Sequence, residues 1–237
     1  MSDASSAVAS STDLHFAGKT VFVSGHGTIA HCVAGAARDR GALVGLAAHD
    51  ADVALHDIAR FPGALDSESA ADRLIDAVVD SFVRLDIIIM VVATEPLGSL
   101  HETSIEQWRS GAVDPLRRLF WLTRRALEEL LANGADARVV LVLDPASNGE
   151  RNEVVEDALR SFARSFAREY GSRGLACNVV VPLLPPGALA LTPAHLDAIV
   201  EPVLFFAAPA ASFVNGETLI VELRSQAEEA AGRDARP

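Results

Sequence analysis

Thr20-Val-Phe-Val-Ser24, followed by Gly25-His26-Gly27 and then Thr28-Ile-Ala-His-Cys-Val-Ala-Gly-Ala-Ala-Arg38, decides the fold. A run that is apolar almost throughout reads as a strand buried on both faces, and two glycines supply the tight turn that leads into a helix. The same order repeats along the chain. Strands are expected at 43–48, 87–92, 139–143, 176–181 and 218–223, and helices at 29–40, 70–82, 105–132, 154–170 and 196–207. Strands that do not alternate apolar with polar residues belong in a parallel sheet covered on both sides. Right-handed crossovers then give a doubly wound, Rossmann-type sheet in three layers, α/β/α.

The chain has 237 residues, of which 50% are hydrophobic, enough for one large core. A single domain is expected over 14–223, with a disordered tail at 1–13 and a flexible one at 224–237. Lys plus Arg number 20 against 32 Asp plus Glu, a net charge of −12 with a pI near 4.9. That balance argues against nucleic acid or an anionic membrane as a partner, because both are bound through clustered cations. The longest apolar runs, 87–93 and 178–184, fall well short of the roughly 20 residues that cross a bilayer. Met1 to Thr12 lacks the basic start and apolar run of a secretion signal. Cys32 and Cys177 form no CxxC pair, so a reducing, cytoplasmic setting is expected.

Three landmarks carry a resemblance. They are Phe16-Ala-Gly-Lys-Thr-Val-Phe-Val-Ser-Gly25, Arg168-Glu-Tyr-Gly-Ser-Arg-Gly-Leu-Ala-Cys-Asn-Val-Val-Val-Pro182, and Phe213-Val-Asn-Gly-Glu-Thr-Leu-Ile-Val-Glu222. Leu85-Asp86 before a strand, and Trp108 twelve residues before Phe120, add to them. On these the chain resembles the short-chain dehydrogenase/reductase family from about Leu14 to Leu223. The resemblance implies a dinucleotide turn at Gly25, Gly27 and Ala30, one residue shorter than the family's, in which backbone N–H groups and a helix N-terminus would hold pyrophosphate. Asp66 matches the family's acid near adenine. The position of the ribose-binding acid falls on Ala48, with Asp50 a possible substitute. Where the family's fourth strand ends Asn-Asn-Ala-Gly, this chain has Met90-Val-Val-Ala93, whose bulk would fill cofactor space.

The catalytic positions depart further. The resemblance assigns the family's Asn to Pro115, its Ser to Asp144 (or Ser147 with a shifted loop), its Tyr to Asn152 and its Lys to Glu156. A carboxamide is no proton donor at neutral pH, and Glu156 reverses the charge that would stabilise a phenolate. The only Tyr, Tyr170, lies at the far end of its helix. The family's lid after the sixth strand is nearly absent, since Pro182 is soon followed by the helix that starts near Pro193.

Asp144, Glu150, Glu153, Glu156 and Asp157 form an acidic cluster in sequence, and His26, His31, His49 and His56 gather near the cofactor end with Cys32. Acids at a helix start are explained by the macrodipole, and no tight ligand motif is present, so no metal is expected. The expectation is a catalytically inactive subunit that supports an active homologue in a hetero-oligomer, a heterotetramer, through helices 105–132 and 153–170. It resembles the degenerate partner in heteromeric dehydrogenases such as that of the benzylsuccinate pathway of anaerobic toluene degradation, which act on hydroxyacyl-CoA compounds. No cofactor is expected, and NAD(P) if any. The alternatives are an atypical NAD(P)-dependent enzyme using Asp144, and a ligand sensor or homo-oligomeric scaffold.

Overall fold

The computed structural model describes residues 15–47, 56–134, 136–145, 151–185, 187–188 and 190–225. Both predicted tails, apart from a few residues at their inner ends, lie outside them, as do Ala48, His49, Asp50, Ser147 and Glu150. Seven parallel strands form one sheet: β1 (Thr20–Ser24), β2 (Leu43–Ala47), β3 (Ile58–Arg60), β4 (Ile87–Ala93), β5 (Arg138–Asp144), β6 (Ala176–Leu183) and β7 (Thr218–Glu222), in the order β3-β2-β1-β4-β5-β6-β7. The main helices are α1 (Gly27–Asp39), α2 (Glu68–Phe82), α4 (Asp114–Ala132), α5 (Glu153–Tyr170) and α6 (Pro193–Ala207), with a short α3 (Ile105–Trp108) ahead of α4. The doubly wound, three-layer sheet expected from the strand pattern is the one observed.

Successive residues of each strand feed opposite layers. Phe22, Ile88, Met90, Leu141 and Val179 face α2, α4 and α5, whereas Val21, Val23, Ile89, Val142 and Val180 face α1 and α6. With both faces covered, alternation cannot appear in the sequence, which is why these strands read as continuous apolar runs.

Three differences from the sequence reading have physical causes. β3 was not anticipated; three residues carry no period, and its sequence, Ile58-Ala-Arg60, looks like loop. It is held by register with Val44–Leu46 and by the Phe61 ring, which packs edge-on against Phe22 and against Phe82. Gly45 makes room for those rings, since a Cβ there would stand 2.8 Å from Phe61. Second, α2 and α6 begin earlier than the apolar period shows, because polar first turns are capped: Ser67 accepts from Ala70 N, and Thr192 and His195 form a reciprocal capping box. Third, 105–132 is not one helix. A π-turn at Arg109–Val113 separates α3 from α4.

The landmark polar residues are pins between strands. Asp86, buried between β1 and β4, accepts from Thr20 N at 2.9 Å and pairs with Lys19 and Arg84. Asn215 accepts from Cys177 N and donates to Leu175 O, both at 2.9 Å, while Asn178 donates to Val214 O and accepts from Glu217 N. These four bonds add to the ladder bonds in holding the register of β7 on β6.

Candidate functional site

Strand order reverses between β1 and β4, and in open α/β sheets the crevice at that reversal is where ligands sit. Here a cleft opens there, lined by Ser24, Gly25, His26, Met90, Val91 and Arg118 among others. Of the residues assigned to a cofactor, Gly25 lines the cleft and Gly27 starts α1 with φ at +73°. Ala30 is fully buried one turn into α1, and Asp66 is exposed, accepting from the Ser67 hydroxyl at the start of α2.

The glycine turn is closed from behind. A Cβ on Gly25 would stand 2.6 Å from Val91 Cβ and 2.9 Å from Val91 O, so β4 and the turn touch directly. Met90 faces α4, where its sulfur accepts from the Thr123 hydroxyl at 3.7 Å.

The four catalytic positions are built into the fold. Pro115, at the second position of α4, has no N–H, so the carbonyl of Gly111 inside the π-turn loses its ordinary helical donor. Asn152 supplies one: its Nδ2 donates to Gly111 O at 2.8 Å and to Glu95 O at 2.9 Å, while its Oδ1 accepts from Val155 N and caps α5. Asn152 is 3% exposed, so all three groups are satisfied out of water. Glu156 is fully buried. Arg151 grips both its carboxylate oxygens, Nη2 lying 2.8 and 2.7 Å from Oε1 and Oε2, and Arg160 binds Oε1 one turn further on. Two guanidinium groups on one carboxylate offset the cost of burying it.

Asp144 is different. It ends β5 and lines a second cavity with Thr94, Arg151, Glu156 and Leu183. Burial pushes its carboxyl up to about 6, and no other influence on it is resolved. On the opposite side its Oδ2 lies 4.0 Å from where a Cβ on Gly27 would be, against the first turn of α1.

Of the acidic cluster seen in sequence, the described members are divided. Glu153 and Asp157 are exposed on α5, while Glu156 turns inward to its arginines and shares a cavity lining with Asp144. Among the described residues no three His, Cys, Asp or Glu side chains converge as metal ligands. His31 Nδ1 bonds Gly27 O at 2.8 Å within α1.

Lys19 is the chain's single lysine and Tyr170 its single tyrosine. Lys19 pairs with Asp86 at the opposite end of the strands, and Tyr170 stacks on Phe166 at the far end of α5. A Tyr–Lys pair is therefore absent from the whole chain, a conclusion that counting lysines would have reached without any alignment. Sequence reading also missed Arg151 and Arg160, although the second lies four residues after Glu156, the spacing of a helical ion pair.

A family model described as enoyl-(acyl carrier protein) reductase matches residues 23–186. An uncharacterized oxidoreductase of Thermotoga maritima is 26% identical over 190 residues, covering 71% of this chain and 72% of that one. Among solved structures, a short-chain type dehydrogenase/reductase from Mycobacterium ulcerans superposes with a TM-score of 0.75 at 20% identity, over 88% of this chain and 90% of that one. An NADH-dependent reductase A1-R′, solved with NAD, superposes with a TM-score of 0.71 at 22% identity, over 89% and 97%. The chain belongs to the short-chain dehydrogenase/reductase family. No helix among its described residues is long and apolar enough to cross a membrane.

Members of such a fold hold a dinucleotide's pyrophosphate against the glycine turn and the start of the first helix. The residues present here do not fit that group: Asp144, its Oδ2 4.0 Å from where a Cβ on Gly27 would be, sets a carboxylate beside the turn that would have to receive the phosphate charge.

Replacing Asn152 with Ala removes one cap and the side-chain donor shared by two carbonyls, those of Gly111 and Glu95. Urea unfolding of Asn152→Ala is expected to show a loss of about 3 kcal/mol. Asp144 binds its proton more tightly in the folded chain than in the unfolded one. Its contribution therefore falls as pH rises from about 4 through about 6, and above that the ionised group is a net cost. Asp144→Asn is expected to be more stable than wild type by about 2 kcal/mol at pH 8, the gap closing near pH 4, as read from denaturation midpoints across pH.

Proposed function

We propose that this chain is a non-catalytic subunit that supports an active homologue of the same family within a hetero-oligomer. The observation that carries the reading is the conversion of catalytic positions into framework. Pro115 and Asn152 satisfy the π-turn between them, and Glu156 is closed in by Arg151 and Arg160. A group tied to three buried partners cannot turn to a substrate without leaving them unpaired, at about 1–3 kcal/mol each. The chain has no second Tyr or Lys to take over proton transfer.

The segment 105–132, made of α3, the π-turn and α4, and the helix 153–170 are the surface through which the partner is bound. Phe120 and Val154 are 55% and 44% exposed, and Val113 and Ile105 are also open to solvent. Exposed apolar side chains on these elements favour burial against another chain. The role is then mechanical: the subunit covers the partner's helices and holds its site in order, as in the heteromeric hydroxyacyl-CoA dehydrogenases of aromatic catabolism that it resembles. A second reading, an atypical NAD(P)-dependent oxidoreductase, is favoured by one observation. Asp144, held near 6, titrates in the range of a general acid.

The test is affinity capture of the tagged chain from its source cells, native mass spectrometry of what is recovered, and an NAD(P)H turnover assay on it. The expected result is a second chain in fixed ratio, carrying the Tyr and Lys that this one lacks, with turnover only in the complex. A self-oligomer that turns over a carbonyl substrate by itself overturns the proposal in favour of the second reading. A self-oligomer without turnover overturns it in favour of a scaffold.

A further inference from the structure

The end of β5 carries a carboxylate in an unusual position. Asp144 leaves the strand on the side of the sheet that faces α1, the side shared by Val140 and Val142. Its Oδ2 comes within 4.0 Å of the site a Gly27 side chain would occupy, so it lies over the glycine turn and the first residue of α1. That is the end of α1 at which the helix dipole favours an anion. The charged and titratable groups around it are His26 on the turn, Glu95 beyond β4, and Arg151 and Glu156 at the start of α5. Arg151 is engaged by Glu156, Glu95 accepts from the Ser110 hydroxyl, and β6 presents only Pro182, Leu183 and Leu184. No ion pair in the described residues neutralises Asp144.

We propose that Asp144 is a specificity residue that bars anionic dinucleotides from the glycine turn while it is ionised and admits them when it is neutral. The proposal rests on the reading of the chain as a subunit that works without its own cofactor. It adds a cause for that state, which is the charge that Asp144 places beside the glycine turn. Two negative charges placed a few ångströms apart in poorly solvated surroundings repel strongly, and proton uptake is the way such a site yields. A ligand that binds only the protonated form has its affinity scaled by the fraction protonated. With the carboxyl near 6, that fraction is about 1% at pH 8 and about 90% at pH 5, so affinity changes roughly a hundredfold over this span.

The experiment is isothermal titration of the intact chain with NAD⁺ at pH 5, 6, 7 and 8, for the wild type, Asp144→Asn and Asp144→Ser, each checked by thermal unfolding. Two isosteric or smaller replacements guard against one that folds poorly, and the wild-type pH series needs no mutation. The expected result is wild-type affinity that rises roughly a hundredfold from pH 8 to pH 5, and variants that bind at every pH with little change. Binding by neither wild type nor variants at any pH overturns the proposal and moves the exclusion to packing at Gly25 and Val91; the non-catalytic reading then stands. Wild-type binding at pH 8 equal to that of Asp144→Asn overturns the proposal, and turnover in the same sample overturns the non-catalytic reading with it.

Discussion

Proline at 115 has no N–H, so it offers no donor to the carbonyl of Gly111 one turn before it. Asn152, from the start of α5 on the neighbouring strand connection, provides it and reaches Glu95 O with its other amide hydrogen. One side chain thus ties together the segment after β4, the π-turn before α4 and the N-terminus of α5. Gly111 itself is packed so closely that a Cβ would meet Leu97 at 2.9 Å and Glu95 O at 3.1 Å. The floor of the crevice is therefore fixed by a proline and an asparagine that compensate one another. The two residues complement one another, because Pro115 gives the Gly111 carbonyl no donor and Asn152, buried, needs acceptors for its amide hydrogens.

The second lock is electrostatic. A fully buried carboxylate is tolerated only when paired, and Glu156 is paired twice. The arginines are partly exposed, 45% and 26% at their side chains, so they can reach water if the carboxylate is lost, whereas the carboxylate cannot if they are lost. The asymmetry makes Arg151 and Arg160 the dependent support of Glu156 and explains why a cation at 156 would be doubly unfavourable. In the same crevice Asp144 has no such support, which marks it as the one family position here whose charge is left to respond to its surroundings.

The sheet was legible because buried parallel strands are apolar runs and because Gly25 to Gly27 marks a strand-to-helix turn. Every long strand was found within two residues. β3 and the break at 109–113 were not, since a three-residue strand has no period and a π-turn keeps the apolar spacing on either side of it. At the site, the sequence was enough to show what residue types stood at Pro115, Asn152 and Glu156. It could not show that they bond one another's surroundings, because Asn152 and Gly111 lie 41 residues apart and meet only through the fold. Asp144 was visible as a residue, but its position over Gly27 depends on strand alternation at the end of β5 and on the packing of α1.

The central claim, that former catalytic positions now hold the structure together, is tested most directly by putting the family's residues back. In the double variant Asn152→Tyr, Glu156→Lys, a lysine would face Arg151 and Arg160, and the two carbonyls would lose their donor. Urea denaturation together with an NAD(P)H turnover assay is the measurement. The account predicts a loss of several kcal/mol, on the scale of broken buried pairs, and no turnover. A variant as stable as wild type that turns over a carbonyl substrate would contradict it.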